Sequence, residues 1–311
     1  MLAIFLKTLP FFALIGLGWI AGRRGWFPEI ATAWLTRFVF YFALSAMLFR
    51  FAAELPLRRI FDPAFVGAYL VGTSVLWLLA IAVARLRRQP PVEAAMEAHC
   101  AITGNTGFLG LPMLGVILGP ASAGPILMTL TTDLIVYSTL VTLIVAGARA
   151  GRISGALFLA LGRGLVRNPM IMSMLAGIAW AQLRLPLPAP AEEFLASLAS
   201  AATPCALFAI GASLASRGSV ERPGPAAWLS LAKLLLHPAA CAAAALWLFP
   251  VEPFAVQVMI ATCALPVAGN VYMLAHHFGA AQNRVSAAIL VSTAASIVTV
   301  PLLIALAERI Q

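Results

Sequence analysis

Thr103-Gly104-Asn105-Thr106-Gly107-Phe108-Leu109-Gly110-Leu111-Pro112 lies in the middle of an apolar run and reads as a helix that cannot stay a helix. Gly costs about 1 kcal/mol and Pro about 3 kcal/mol in a helix interior, and here three glycines and a proline fall within ten residues. Proline also frees the carbonyl four residues back. In lipid a freed backbone group is tolerated only where it faces protein or a water-filled cavity. Thr103, Asn105 and Thr106 add polar side chains at the same depth. A packing kink explains one such stretch well enough, because small residues let membrane helices approach closely. The second half of the chain repeats the feature, in Ala264-Leu265-Pro266-Val267-Ala268-Gly269-Asn270. Two interrupted apolar helices at matching places are the sequence mark of a carrier's binding site.

The surroundings are those of a membrane protein. Of 311 residues, 62% are hydrophobic and 10% charged, against roughly 25% charged in ordinary soluble domains. Apolar runs of spanning length place about ten helices, near residues 3–22, 30–51, 64–84, 92–118, 123–148, 168–185, 191–216, 225–249, 253–278 and 281–308. We refer to these as helices one to ten. Lys7 interrupts the first run, and no small-residue cleavage site with a polar domain behind it follows, so the run is expected to be a span and not a signal peptide. Arg23, Arg24, Arg85, Arg87, Arg88, Arg149, Arg152, Arg163, Arg217, Arg222 and Arg284 follow odd-numbered helices, whereas Arg58, Arg59 and Arg184 follow even-numbered ones. The excess marks the odd side as cytoplasmic and puts both termini on the non-cytoplasmic side of an inner membrane. The net charge of +9 is thus accounted for by topology, and nucleic acid is not an expected partner. Cys100, Cys205, Cys241 and Cys263 lie inside apolar runs with no paired spacing, as buried small side chains do.

A shift of 159 positions aligns Pro10 with Pro169, Gly18 with Gly177, Leu48-Phe49 with Leu207-Phe208, and Thr103 with Thr262. Pro and Gly matches mark backbone events, so they count for more than Leu or Ala matches. Residues 1–148 and 168–311 are then two five-helix units joined by a cytoplasmic linker, 149–167. An odd number of helices per unit makes the repeat inverted. The fold class expected is therefore all-α integral membrane, in a 5+5 inverted repeat with helices four and nine broken where they cross. Around that crossing the candidate substrate contacts are Asn105, Thr106, Gly107, Phe108, Gly269 and Asn270, with Pro112 and Pro266 holding the breaks. Helix N-termini there suit an anion.

Ionisable residues inside spans are functional candidates by default. Asp133 in helix five is the candidate proton carrier, with a structural hydrogen bond as the equal alternative. Glu97, before the first break, and His276, after the second, are weaker candidates; His276 and His277 also read as an interfacial pair. Lys233 and His237 share one face of helix eight, where the lysine either meets an anion or snorkels to the surface. Arg37 reads as a snorkelling side chain. No His/Cys spacing of the zinc-ligand kind and no phosphate-binding loop occur, so no cofactor is expected. A proton or sodium gradient is the expected energy source.

Asn105-Thr106-Gly107-Phe108-Leu109-Gly110-Leu111-Pro112 resembles the N-x-G-F/Y-x-G-x-P stretch of the auxin efflux carrier family. Leu265 to Asn270 resembles that family's second crossover, and Thr203-Pro204-Cys205-Ala206-Leu207-Phe208-Ala209-Ile210-Gly211 resembles its helix-seven signature. The resemblance spans nearly the whole chain. Bacterial members include proteins assigned as malonate and malate transporters, and plant auxin exporters are distant relatives. It implies a secondary carrier for a small organic anion, dicarboxylate, monocarboxylate or auxin-like acid. It also implies a scaffold of helices one, two, six and seven, an elevator-like movement of helices three to five and eight to ten, and a homodimer formed through the scaffold. Ser45 stands where the helix-two copy of the seven signature carries Pro, matching Pro204 in the second half. Two other classes stay open from sequence: an intramembrane enzyme, for which Ser296 and His276 are the available pair, and a metabolite receptor that moves nothing.

Overall fold

The computed structural model describes residues 2–54, 61–150, 162–163, 166–183, 186–215 and 223–310. We number its helices α1 (Leu2–Arg23), α2 (Glu29–Ala53), α3 (Pro63–Leu86), α4 (Pro91–Ile102), α5 (Thr106–Ile117), α6 (Pro120–Ala148), α7 (Pro169–Leu183), α8 (Ala189–Ala215), α9 (Pro223–Trp247), α10 (Pro253–Cys263), α11 (Gly269–His277) and α12 (Gln282–Ala307). Helix four of the sequence corresponds to α4 and α5, and helix nine to α10 and α11. Most of the 149–167 linker lies outside the described residues, as do Arg58, Arg59, Arg152, Arg184, Arg217 and Arg222.

Prolines open many of these helices for a local reason. The first turn has no use for an N–H, and the fixed φ of proline already suits it. Pro63, Pro91 and Pro253 hold such positions, and at α3 the Asp62 carboxylate also caps the helix by accepting the Ala64 N–H at 2.9 Å.

Among the described residues, seven helices, α1, α2, α3, α6, α8, α9 and α12, are long and apolar enough to cross a membrane, and α5, α7 and α10 are shorter apolar helices. The side-chain distribution inverts that of a soluble protein. Leu78, Leu86, Phe194, Trp247 and Val298 face outward, while alanines dominate many inner faces. Polar residues go inward too: Thr73, Asn105, Lys233, His237 and Ser292 are all buried. Only lipid makes that arrangement favourable.

Packing falls into two sets. In one, α1 lies along α8, α7 along α2, and α8 along α2. In the other, α3 packs on α4 and α9, α9 on α10 and α12, and α6 on α4 and α10. The sets meet where α1 touches α12 and where α8 touches α5.

Within the first set, two contacts are copies of each other. Gly18 of α1 sits on the Phe208 backbone of α8, where a Cβ would come within 2.1 Å of the carbonyl oxygen. Gly177 of α7 sits on the Phe49 backbone of α2, where a Cβ would come within 2.4 Å of that oxygen. Gly18 and Gly177 are 159 positions apart, and so are Phe49 and Phe208. The two contacts thus pair positions 159 apart on both of their sides.

The Ser45/Pro204 difference has a structural counterpart. Pro204 lies inside α8 and frees a carbonyl there. In α2 the matching irregularity is a π-turn at Val39–Ala43, and the Ser45 hydroxyl donates to the Phe40 carbonyl at 3.1 Å. Both copies loosen the helix at this level, one by a missing N–H and the other by a wider turn.

Candidate functional site

The two Gly/Pro/Asn stretches meet. α4 stops at Ile102 and α10 at Cys263, and the extended segments after them run antiparallel, with a single β-bridge between Gly104 and Val267. Asn105 N–H donates to the Pro266 carbonyl at 2.8 Å, and Ala268 N–H donates to the Thr103 carbonyl at 3.1 Å. These are the two bonds that flank an antiparallel bridge, one given by each segment. The backbone groups freed by each break are thus satisfied by the other break, as the membrane interior demands. Ser292 of α12 completes the support, its Oγ accepting the Val267 N–H at 3.1 Å.

Beyond the bridge the chain resumes as α5 and α11, so two helix starts lie beside the crossing. Helix starts carry open N–H groups and a partial positive charge. Asn105 is 6% exposed, and its backbone is already engaged, its carbonyl accepting from Leu109 and Gly110. Its side chain is what remains for a ligand. Asn270, the second residue of α11, holds its Oδ1 buried with no partner. A buried amide oxygen without a donor costs about 1–3 kcal/mol, which a ligand's donor or a bridging water would recover. Thr106, Gly107 and Pro112 are buried with Asn105, Phe108 is half-buried, Pro266 is buried, and Gly269 is exposed. Gly107 faces Met170 of α7, whose Cε would stand 3.0 Å from a Cβ at that position. A shallow apolar hollow lies there between α2, α6 and α7, lined by Leu48, Leu130, Leu134, Met170 and Met174. The crossing therefore belongs to one packing set and looks onto the other.

Behind the crossing lies a residue whose position the sequence left open. Lys233 does not snorkel. It is 0% exposed, and its Nζ donates to the Cys263 carbonyl, the open C-terminal end of α10, with His237 Nδ1 3.2 Å away. Gly104 lies directly against it. Among the described residues it is the buried lysine or arginine. It sits in a π-turn, Ala232–Leu236, and Asp133 opens another, Asp133–Tyr137. π-Turns inside α-helices recur at functional sites. Asp133 is 4% exposed, and Tyr69 Oη donates to its Oδ1 at 2.6 Å.

Other candidates fall elsewhere. Glu97 is buried in an ion cluster, paired with Arg87 at the end of α3 and lying 2.8 Å from Arg284 Nε; Arg284 also pairs with Glu93. The cluster ties α3, α4 and α12 together away from the bridge. His276 is exposed near the far end of α11, its ring against Tyr272, so closeness to the break in sequence does not carry it to the crossing. Ser296 donates to the Thr293 carbonyl at 2.7 Å inside α12. The buried serine and the exposed histidine do not make a nucleophile–base pair.

Apolar helices with a polar, backbone-paired crossing at their centre define a multi-pass membrane protein. The chain belongs to the family described as membrane transport protein, whose profile matches residues 3–304, the auxin efflux carrier family that the helix-four stretch resembles. It is similar to a protein of Rhizobium meliloti (strain 1021) named "Putative malonate transporter", with 33% identity over 295 residues, covering 94% of this chain and 92% of that one.

Proposed function

We propose that the protein is a secondary carrier for a small organic anion, bound where the two breaks cross. The observation that carries the reading is the pair of asparagines at two helix starts, with the Asn270 Oδ1 buried and unpartnered. Helix N-termini favour an anion, and the buried Lys233 amine lies behind them. A relative named for malonate, a small dicarboxylate, fits that choice. The matching contacts Gly18/Phe208 and Gly177/Phe49, whose members lie 159 positions apart, support an inverted 5+5 repeat. The two packing sets support an elevator in which α3–α6 and α9–α12 carry the site past α1, α2, α7 and α8. The chain then sits in the inner membrane with both termini outside and pairs with a second copy through the scaffold helices.

Uptake into proteoliposomes tests the site. Asn105→Ala and Asn270→Ala each are expected to lower uptake at subsaturating substrate about tenfold or more, the loss of one to two hydrogen bonds to a charged group. Saturable uptake that is unchanged in both variants would place the site elsewhere.

Coupling is tested separately at Asp133. In the Asp133→Asn protein, uptake driven by an imposed proton gradient is expected to disappear while counterflow of labelled substrate continues. An Asn variant that still concentrates substrate against the gradient would leave the Asp133–Tyr69 contact as purely structural.

A further inference from the structure

We infer that His237, Cys241 and Cys263 form a buried binding site for a thiophilic divalent cation of the zinc type. Their ligand atoms lie within 4.8 Å of one another. His237 and Cys241 stand one turn apart on α9 and share a face, while Cys263 is the last residue of α10. His237 Nε2 is 3.9 Å from Cys263 Sγ. Thr73 of α3 brings its Oγ1 to 3.0 Å from that nitrogen and 3.5 Å from Cys241 Sγ. A tetrahedral zinc, with Zn–N about 2.0 Å and Zn–S about 2.3 Å, sets its ligand atoms roughly 3.5–3.8 Å apart. Small side-chain shifts close these groups around an ion, with the Thr73 hydroxyl or a water in the fourth position. A single buried thiol is ordinary packing; an imidazole and two thiols converging from two helices, with a hydroxyl from a third, is a ligand set.

The chemistry of the set selects the ion. Two thiolates and an imidazole suit zinc-like cations and not magnesium or calcium. Binding releases the two thiol protons to solvent, so a divalent ion with two thiolates and a neutral ring has no net charge. That neutrality matters in an interior where an isolated charge is expensive. Lys233 opposes the ion. Its Nζ lies against His237 Nδ1, and a metal on Nε2 keeps the ring proton on Nδ1, so the lysine must release the ring and hold only the Cys263 carbonyl. The other charged group near the ring is Asp133, through Tyr69, whose ring centroid is 5.9 Å from that of His237. An ion here would pin α9 to the end of α10, directly behind the crossing.

The test is direct binding and does not depend on the carrier reading. Purified full-length protein is titrated with Cd2+, whose thiolate complexes absorb in the near ultraviolet. The expected result is a charge-transfer band that saturates at a single cadmium per chain and is displaced by Zn2+. Cys241→Ser, Cys263→Ser and His237→Ala are each expected to weaken binding about tenfold or more. The Cys100→Ser/Cys205→Ser protein is expected to keep it, and Lys233→Met to tighten it. A second readout needs no variant: Zn2+, but not Mg2+, is expected to raise the thermal unfolding midpoint of the native protein. No saturable band in the native protein, a band that survives in the Cys241→Ser/Cys263→Ser protein, or a midpoint indifferent to Zn2+ would each overturn the site.

Discussion

Replacing Lys233 by methionine is expected to raise the KM for the anion about a hundredfold while the protein remains folded. The ammonium is 0% exposed behind the crossing. A hydrogen bond to a charged group contributes about 1.5–3 kcal/mol, up to about a hundredfold in affinity. Folding should suffer far less. Methionine fills nearly the same volume, and removing a buried ammonium relieves its desolvation cost, which offsets the Cys263 carbonyl left without a donor. Lys233→Gln separates charge from scaffolding, because its amide can still donate to that carbonyl. If glutamine restores native KM, the lysine is a prop for the break and not the charge that selects an anion. Thermal unfolding of each variant, measured beside uptake, shows whether any loss comes from the fold.

The crossing was legible in the sequence because its causes are local. Glycine, proline and asparagine act within a few residues of where they stand, so Asn105, Pro266 and Asn270 could be placed at helix interruptions from composition alone, whereas Pro112 falls inside α5. The residues whose positions the sequence left open depend on distant partners. Lys233 lies ten positions into α9, about 15 Å along the helix, a depth from which a lysine either snorkels or stays buried. What decides is the Cys263 carbonyl, thirty positions away and invisible to helical periodicity. Glu97 stayed a weaker candidate because its partner Arg284 is nearly two hundred positions off. His276 also had two readings from sequence: seven positions past Gly269 is about 10 Å along α11, enough to take it from the crossing to an exposed face. The His237, Cys241 and Cys263 cluster escaped for the same reason as Lys233, since ligand-spacing patterns see one segment at a time.

The second large effect is expected at the glycines packed between α1 and α8 and between α7 and α2. Gly18→Leu and Gly177→Leu should each destabilise the protein by more than about 3 kcal/mol, the upper range for overpacking. Even the Cβ of an alanine would lie 2.1 Å from the Phe208 oxygen at Gly18 and 2.4 Å from the Phe49 oxygen at Gly177, and backbone cannot rotate away as a side chain can. Gly16, two residues earlier on α1, has nothing within 4 Å of its Cβ position, so Gly16→Leu serves as the tolerated control. Thermal unfolding and size-exclusion behaviour in detergent read the difference. The two damaging substitutions should match each other closely, since each repeats the other 159 positions away; a tolerated Gly177→Leu beside a ruinous Gly18→Leu would refute the two-fold reading of the scaffold. The contact also bears on movement. Gly211 of α8 sits as closely on the Ile15 carbonyl of α1, at 1.9 Å for a Cβ. Under the proposed elevator, helices interlocked backbone to backbone at Gly18 and Gly211 would move as one body, with the displacement between this set and the helices that carry Asn105 and Asn270.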